Sequence, residues 1–103
     1  MVDQVWIEER IKRTREGDID AFGEVVQELQ ASLRGFVAML GVKPEDTSDI
    51  AQETFVLAYK SLDKYEQDRS FSPWLRGIAR NLVRRWRVEQ GKSEHSNVEE
   101  IID

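Results

Sequence analysis

The spacing of apolar residues divides the chain into four helical segments separated by glycine, proline or short polar runs. Residues 3–16 offer Val5, Trp6, Ile7 and Ile11 for packing and stop before Gly17, a residue suited to ending a helix. Asp18 is placed to cap the second segment. Across residues 19–40, Phe22, Val25, Val26, Leu29, Leu33, Phe36, Val37 and Leu40 recur at steps of three and four, which predicts about six turns of amphipathic helix. Gly41 ends this run and Pro44 prevents its smooth continuation, so residues 41–46 are expected to connect or turn. A third helix starts between residues 44 and 49, where Asp46, Thr47, Ser48 and Asp49 are all competent caps. Its apolar stripe is Ile50, Ala51, Phe55, Ala58 and Leu62, while Asp49, Gln52, Glu53 and Val56 share another side.

Residues 63–70 form a polar loop interrupted by Tyr65, and Ser72 with Pro73 marks the start of a fourth helix, serine as cap and proline in the first turn. Leu75, Ile78, Ala79, Leu82 and Trp86 would face a core there, while Arg76, Arg80, Arg84 and Arg87 climb a different side at the same spacing. Beyond Gly91 the periodicity fades, leaving room for one short terminal turn over residues 98–102. With no strand-like alternation and no repeat, the fold class is all-α: three long helices plus a shorter N-terminal one. They form one domain over residues 1–91, with 92–103 a polar tail or the start of a linker.

Composition narrows the setting. A chain of 103 residues suits one domain with its own core. The absence of cysteine excludes disulfides and cysteine-based zinc sites and agrees with a cytoplasmic location. No apolar run approaches the ~20 residues needed to span a bilayer, so no membrane insertion is expected, and the N-terminus is too acidic for a signal peptide. The net charge of −5 conceals an asymmetry: residues 69–92 hold seven basic residues against Glu89, a net of +6, so the other 79 residues carry −11. Such a division points either to contact with a polyanion or to a merely solvated cationic face.

Enzymatic equipment is missing. His95, the single histidine, has no partner motif, and there is no phosphate-binding glycine loop, no nucleophile motif and no metal-ligand spacing. Asp49 and Glu53, four residues apart, read as a solvated acidic face rather than a metal site. Neither catalysis nor a cofactor is expected. Arginines interleaved with aromatic residues do suit nucleic acid, because guanidinium groups pair with phosphates and rings stack on unpaired bases. Tyr65, Phe71, Trp74 and Trp86 are available. Trp86 lies on the apolar stripe and reads as core; Trp74, at its edge, suits packing or exposure equally. Asn81 falls on or near the cationic face, where an amide can read a base edge.

Four motifs in order, Gly17-Asp-Ile-Asp-Ala-Phe22, Asp49-Ile-Ala-Gln-Glu-Thr-Phe55 with Ala58-Tyr59, Phe71-Ser-Pro-Trp-Leu75 and Ile78-Ala-Arg-Asn81, resemble the promoter-recognition domain of bacterial RNA polymerase sigma factors. The likeness is greatest to region 2 of the small extracytoplasmic-function class, and it covers about residues 3–92. It implies a transcription initiation factor domain that binds core RNA polymerase and helps melt the promoter minus-ten element by holding the non-template strand. The clamp helices of the β′ subunit would be bound by Asp49, Gln52, Glu53 and Val56. Phe55 is better suited to the core. The loop containing Tyr65, Asp68, Arg69, Ser70 and Phe71 would receive a flipped base, with Trp74 close by. Asn81 would touch a base, and Arg76, Arg80, Arg84 and Arg85 would meet phosphates.

An anti-sigma protein is a further implied partner. Complete members of the class carry a second, helix-turn-helix domain, and nothing after Gly91 supplies one, so the chain reads as an excised domain or an atypical short protein. Two other readings compete: a helical protein-interaction adaptor that binds no DNA, and a general DNA- or RNA-binding helical domain unrelated to initiation.

Overall fold

Local backbone chemistry sets most of the helix boundaries in the computed structural model, which describes residues 3–102 and the side chains of residues 3–91. Helix α1 spans Gln4–Arg15, and its cap, the Asp3 carboxylate, accepts from the Trp6 N–H at 2.9 Å. It closes with a Schellman arrangement in which the Asp18 N–H donates to the Arg13 carbonyl and the Gly17 N–H to the Thr14 carbonyl, both at 3.0 Å. Gly17 adopts φ +107° there, a backbone state that side chains disfavour. Asp18 then caps α2, Ile19–Met39, by accepting from the Ala21 N–H at 3.3 Å. Helix α3 spans Pro44–Lys60, a single 3-10 turn occupies Leu62–Lys64, and α4 spans Phe71–Ile102. Four helices and no strand make up the described residues.

The core is one cluster drawn from every element. Helix α2 packs between α1 and α3, and α4 lies across α3 and α2. Ile7 and Ile11 of α1 meet Phe22, Val25, Leu33 and Val37 of α2, Ile50, Ala51, Phe55 and Ala58 of α3, and Leu75, Ala79, Leu82 and Val83 of α4. Val42, in the connection between α2 and α3, is also buried and joins this cluster.

Five expectations change. Val5 is 72% exposed, because it sits about 200° around the helix from Ile7, and Trp6 packs instead. Helix α3 begins at Pro44, ahead of the four candidate caps, since proline is preorganised for the first helical position; Glu45 and Asp46 then favour the helix dipole. Leu62 leaves the α3 stripe for the 3-10 turn but stays buried. Helix α4 begins at Phe71, with Ser72 and Pro73 inside its first turn, because the Phe71 N–H finds an acceptor elsewhere, Gln4 Oε1 at 3.4 Å. Its backbone also continues through Gly91 to Ile102, since helical hydrogen bonding needs no apolar periodicity.

Gly41, at φ +95°, ends α2, and a Cβ built there would stand at an ordinary 3.7 Å from an Arg87 guanidinium nitrogen. The cost of filling this position therefore comes from the backbone alone. Gly41→Ala should destabilise the chain by about 1 kcal/mol, read as a fall in Tm of about 4–8 °C; an unchanged Tm would mean that the turn relaxes out of the left-handed region.

Candidate functional site

Two surfaces collect the residues singled out by the sequence. The first is the outer side of α3. Asp49, Gln52, Glu53 and Val56 are all exposed, whereas Phe55, between Glu53 and Val56 in the chain, is 5% exposed and belongs to the core. The four do not act as one stripe. Gln52 and Val56 line a groove of about 520 Å³ between α2 and α3, whose apolar wall includes Ile19, Phe22, Val26 and Tyr59. Glu53 turns the other way, toward α4, and pairs with Arg85 at 2.8 Å. Ile19 and Tyr59 are 58% and 42% exposed and add to the apolar part of this surface, for which the sequence pointed to Val56 alone. Tyr59 is fixed against Phe22, ring centroids 5.4 Å apart.

The second surface is the loop before α4 and the exposed side of that helix. Tyr65 and Phe71 are almost fully buried, so neither offers a free ring face to a base in this arrangement. They form an aromatic cluster with half-buried Trp74, with centroid separations of 5.2–5.6 Å among the three rings. Asp68, Arg69 and Ser70 project outward above it.

What holds this loop comes from α1. The Tyr65 hydroxyl donates to the Arg69 carbonyl and receives the Gln4 side-chain amide at 3.4 Å. Arg15 donates to the carbonyls of Leu62 and Tyr65, its guanidinium carbon 5.5 Å from the Tyr65 ring centroid. Gln67 donates to the Glu8 carbonyl at 3.3 Å. Burial pushes the Tyr65 phenol above its usual range; the Gln4 hydrogen bond opposes that shift, as does Arg15, while Glu8 and Asp68 add to it. Gln4 and Arg15 gave no sign of this role in the sequence, because α1 reads there only as a packing helix.

Along α4 the arginines divide among several partners. Arg76 and Arg80 lie over the Phe36 ring of α2, Arg84 donates to the Asn81 side-chain oxygen at 3.3 Å, Arg85 pairs with Glu53, and Arg87 donates to the Leu40 carbonyl at the end of α2. Asn81, Arg80 and Arg84 are exposed. Trp86 is half-buried against the core. Among the described residues no group of three metal-ligating side chains occurs, and no helix is long and apolar enough to cross a membrane. The His95 side chain lies outside the described residues.

Comparison with known proteins places these surfaces in context. Residues 25–93 match the family model described as sigma-70 region 2. The RNA polymerase sigma factor NccH of Alcaligenes xylosoxydans is 37% identical over 82% of this chain and 45% of its own length. The ECF RNA polymerase sigma-E factor of Escherichia coli is 33% identical over the whole chain and 51% of its own length. The chain thus spans about half the length of the curated relatives it matches. Among solved structures, an engineered region 2 of sigmaE, determined by NMR in complex with GTAAAA, superposes with a TM-score of 0.80 at 33% identity, covering 90% of this chain and 97% of that one. CnrH, in complex with the cytosolic domain of CnrY, gives a TM-score of 0.71 at 30% identity over 77% of this chain and 51% of its own.

The mooring of the loop is open to a direct check. Tyr65→Phe keeps the ring cluster but removes two hydrogen bonds, and should cost about 1–2 kcal/mol and speed amide exchange over residues 66–70. The raised phenol pKa also has a sign. Its contribution is fully present below the ordinary tyrosine value of about 10 and is lost as pH rises past it, because the unfolded phenol ionises first. Thermal melts at neutral and alkaline pH should therefore show a steeper alkaline decline for the parent than for the variant; identical profiles would contradict the burial assigned to this hydroxyl.

Proposed function

This chain belongs to the sigma-70 region 2 family, in its extracytoplasmic-function class, and from its two surfaces we infer that it docks on core RNA polymerase through α3 and holds the non-template strand of the promoter minus-ten element with α4 and the preceding loop. As a sigma-factor domain it is not an enzyme: the polymerase makes and breaks the bonds. The observation that carries the DNA half of this reading is the exposure of Asn81 between Arg80 and Arg84 on α4, the helix that follows a loop whose outer residues are exposed and whose base is fixed. An amide able to pair with a base edge thus stands next to cations able to pair with phosphates.

The loop has a corresponding role. A base drawn out of the stack pays an unstacking cost of a few kcal/mol, which contacts at its new site must offset. Asp68, Arg69 and Ser70 are the contacts offered, and of the three rings beneath them only Trp74 keeps an accessible part. Tyr65 and Phe71 therefore serve as the floor and not as stacking partners. On α3, Gln52 and Val56 beside the apolar groove suit a helical partner, which the β′ clamp helices provide. CnrH is held by the cytosolic domain of CnrY, and that supports an anti-sigma protein as the regulatory partner of this chain too. Residues 92–103 keep the role of a tail or linker beyond the two binding surfaces.

Two measurements test the reading. Asn81→Ala should weaken binding to a single-stranded minus-ten oligonucleotide by about 1–3 kcal/mol while leaving a scrambled strand nearly unaffected, and equal losses on both would remove base readout from Asn81. Gln52→Ala combined with Val56→Ala should reduce affinity for core RNA polymerase by about tenfold; undiminished capture in a pull-down would dissociate this face from the polymerase.

A further inference from the structure

Arg76 and Arg80 stand one turn apart on α4, about 6 Å along the axis, and neither has a carboxylate partner among the described residues. Arg10, Arg13 and Arg85, by contrast, are each paired with a glutamate. What Arg76 and Arg80 share is Phe36 of α2. Their guanidinium carbons lie 5.9 and 5.2 Å from its ring centroid. Two like charges at this spacing repel. The electron-rich face of a ring offsets that repulsion and restricts both side chains without cancelling either charge, which a carboxylate in the same place would do. Phe36 is itself half-buried against the core, so the ring is a fixed platform. Beside it, Leu29, Leu33 and Met39 give the α2–α4 groove an apolar wall, and a low-dielectric wall strengthens the field of neighbouring charges.

We propose that Phe36 is a positioning residue for DNA binding: it holds Arg76 and Arg80 as a preorganised pair of phosphate ligands for the strand that Asn81 reads. This rests on the function inferred above. The register favours a phosphate backbone over an acidic peptide. Arg84 continues the Arg76 and Arg80 line by one more turn, and Asn81, to which Arg84 is bonded, sits between Arg80 and Arg84 along it. A row of planar guanidinium forks at regular spacing, with a base-reading amide set among them, matches a repeating anion with a base attached to each unit. The sequence showed Phe36 only as one apolar position among many in α2, because its contact with α4 is tertiary.

The test uses the full 103-residue chain with two single-stranded probes, one carrying GTAAAA and one scrambled, titrated by fluorescence anisotropy at several salt concentrations. Arg76→Gln with Arg80→Gln should lower the salt slope by about 1.4 on both strands, two phosphates at about 0.7 each. Phe36→Leu, checked for folding by circular dichroism, should weaken both strands by about two- to five-fold and move the slope toward that of the double variant. Phe36→Tyr, which keeps a ring, should retain parental binding. In the Arg76→Gln, Arg80→Gln background, Phe36→Leu should have no further effect.

An equal loss from Phe36→Leu in both backgrounds would reduce the ring to general support of the fold and overturn the proposal. An unchanged salt slope in the double arginine variant would also overturn it, and would turn attention to an acidic protein partner. Failure of the underlying function looks different: the parent chain would bind neither strand, with or without core RNA polymerase.

Discussion

A buried phenol must keep a hydrogen-bond partner, and Tyr65 meets that requirement by tying its own loop and the head of α4 to the distant α1. Its ring packs with Phe71 and Trp74 at the head of α4, its hydroxyl bonds the Arg69 carbonyl in the loop, and Gln4 reaches it from α1. The remaining loop contacts reinforce this one, with Arg15 on two carbonyls and Gln67 on the Glu8 backbone. The loop is therefore polar on the outside and core-like underneath. Asp68, Arg69 and Ser70 can be presented at a defined height only because the residues on either side of them are fixed.

Electrostatics divides along similar lines. The chain is acidic as a whole, yet residues 69–92 are strongly basic, and the arginines there divide among several neighbours. Arg87 is spent on the end of α2 and Arg85 on Glu53, so neither is free in the way that the charge count alone suggests. The exposed Arg85–Glu53 pair contributes little stability, since such pairs typically supply about 0–1 kcal/mol. Its interest is positional: it joins the surface assigned to polymerase to the surface assigned to DNA, two faces that otherwise belong to separate helices.

The parts of this architecture legible in the sequence are those governed by local rules. The eight apolar positions of α2 follow the helical period, and Asp18, Gly17 and Gly41 act within a few residues of themselves. The start of α3 was not legible, because four competent caps stand in a row and the decision falls to Pro44 before them. The family resemblance places Tyr65 and Phe71 in a base-receiving loop; their burial comes from tertiary packing, and they are tied to Gln4, more than sixty residues away, by hydrogen bonds for which no local signal exists. The partners of the arginines were hidden for a related reason. Periodicity reports which face of α4 is cationic, but only the rotation of α4 against α2 and α3 decides which guanidinium meets Phe36 and which meets Glu53.

The Gln4 contacts also bear on how the domain comes into being. They are long-range hydrogen bonds, since Gln4 touches the hydroxyl of Tyr65 and the first N–H of α4 across separations of 61 and 67 residues. Contacts of such span come at a high entropic cost and are rewarded only after the intervening helices have docked. The positive charge of residues 69–92 exists at every stage of folding, whereas the shape of the loop beside it requires these long-range contacts. A partly folded molecule would thus attract polyanions without telling one base from another, and discrimination would mark the finished domain.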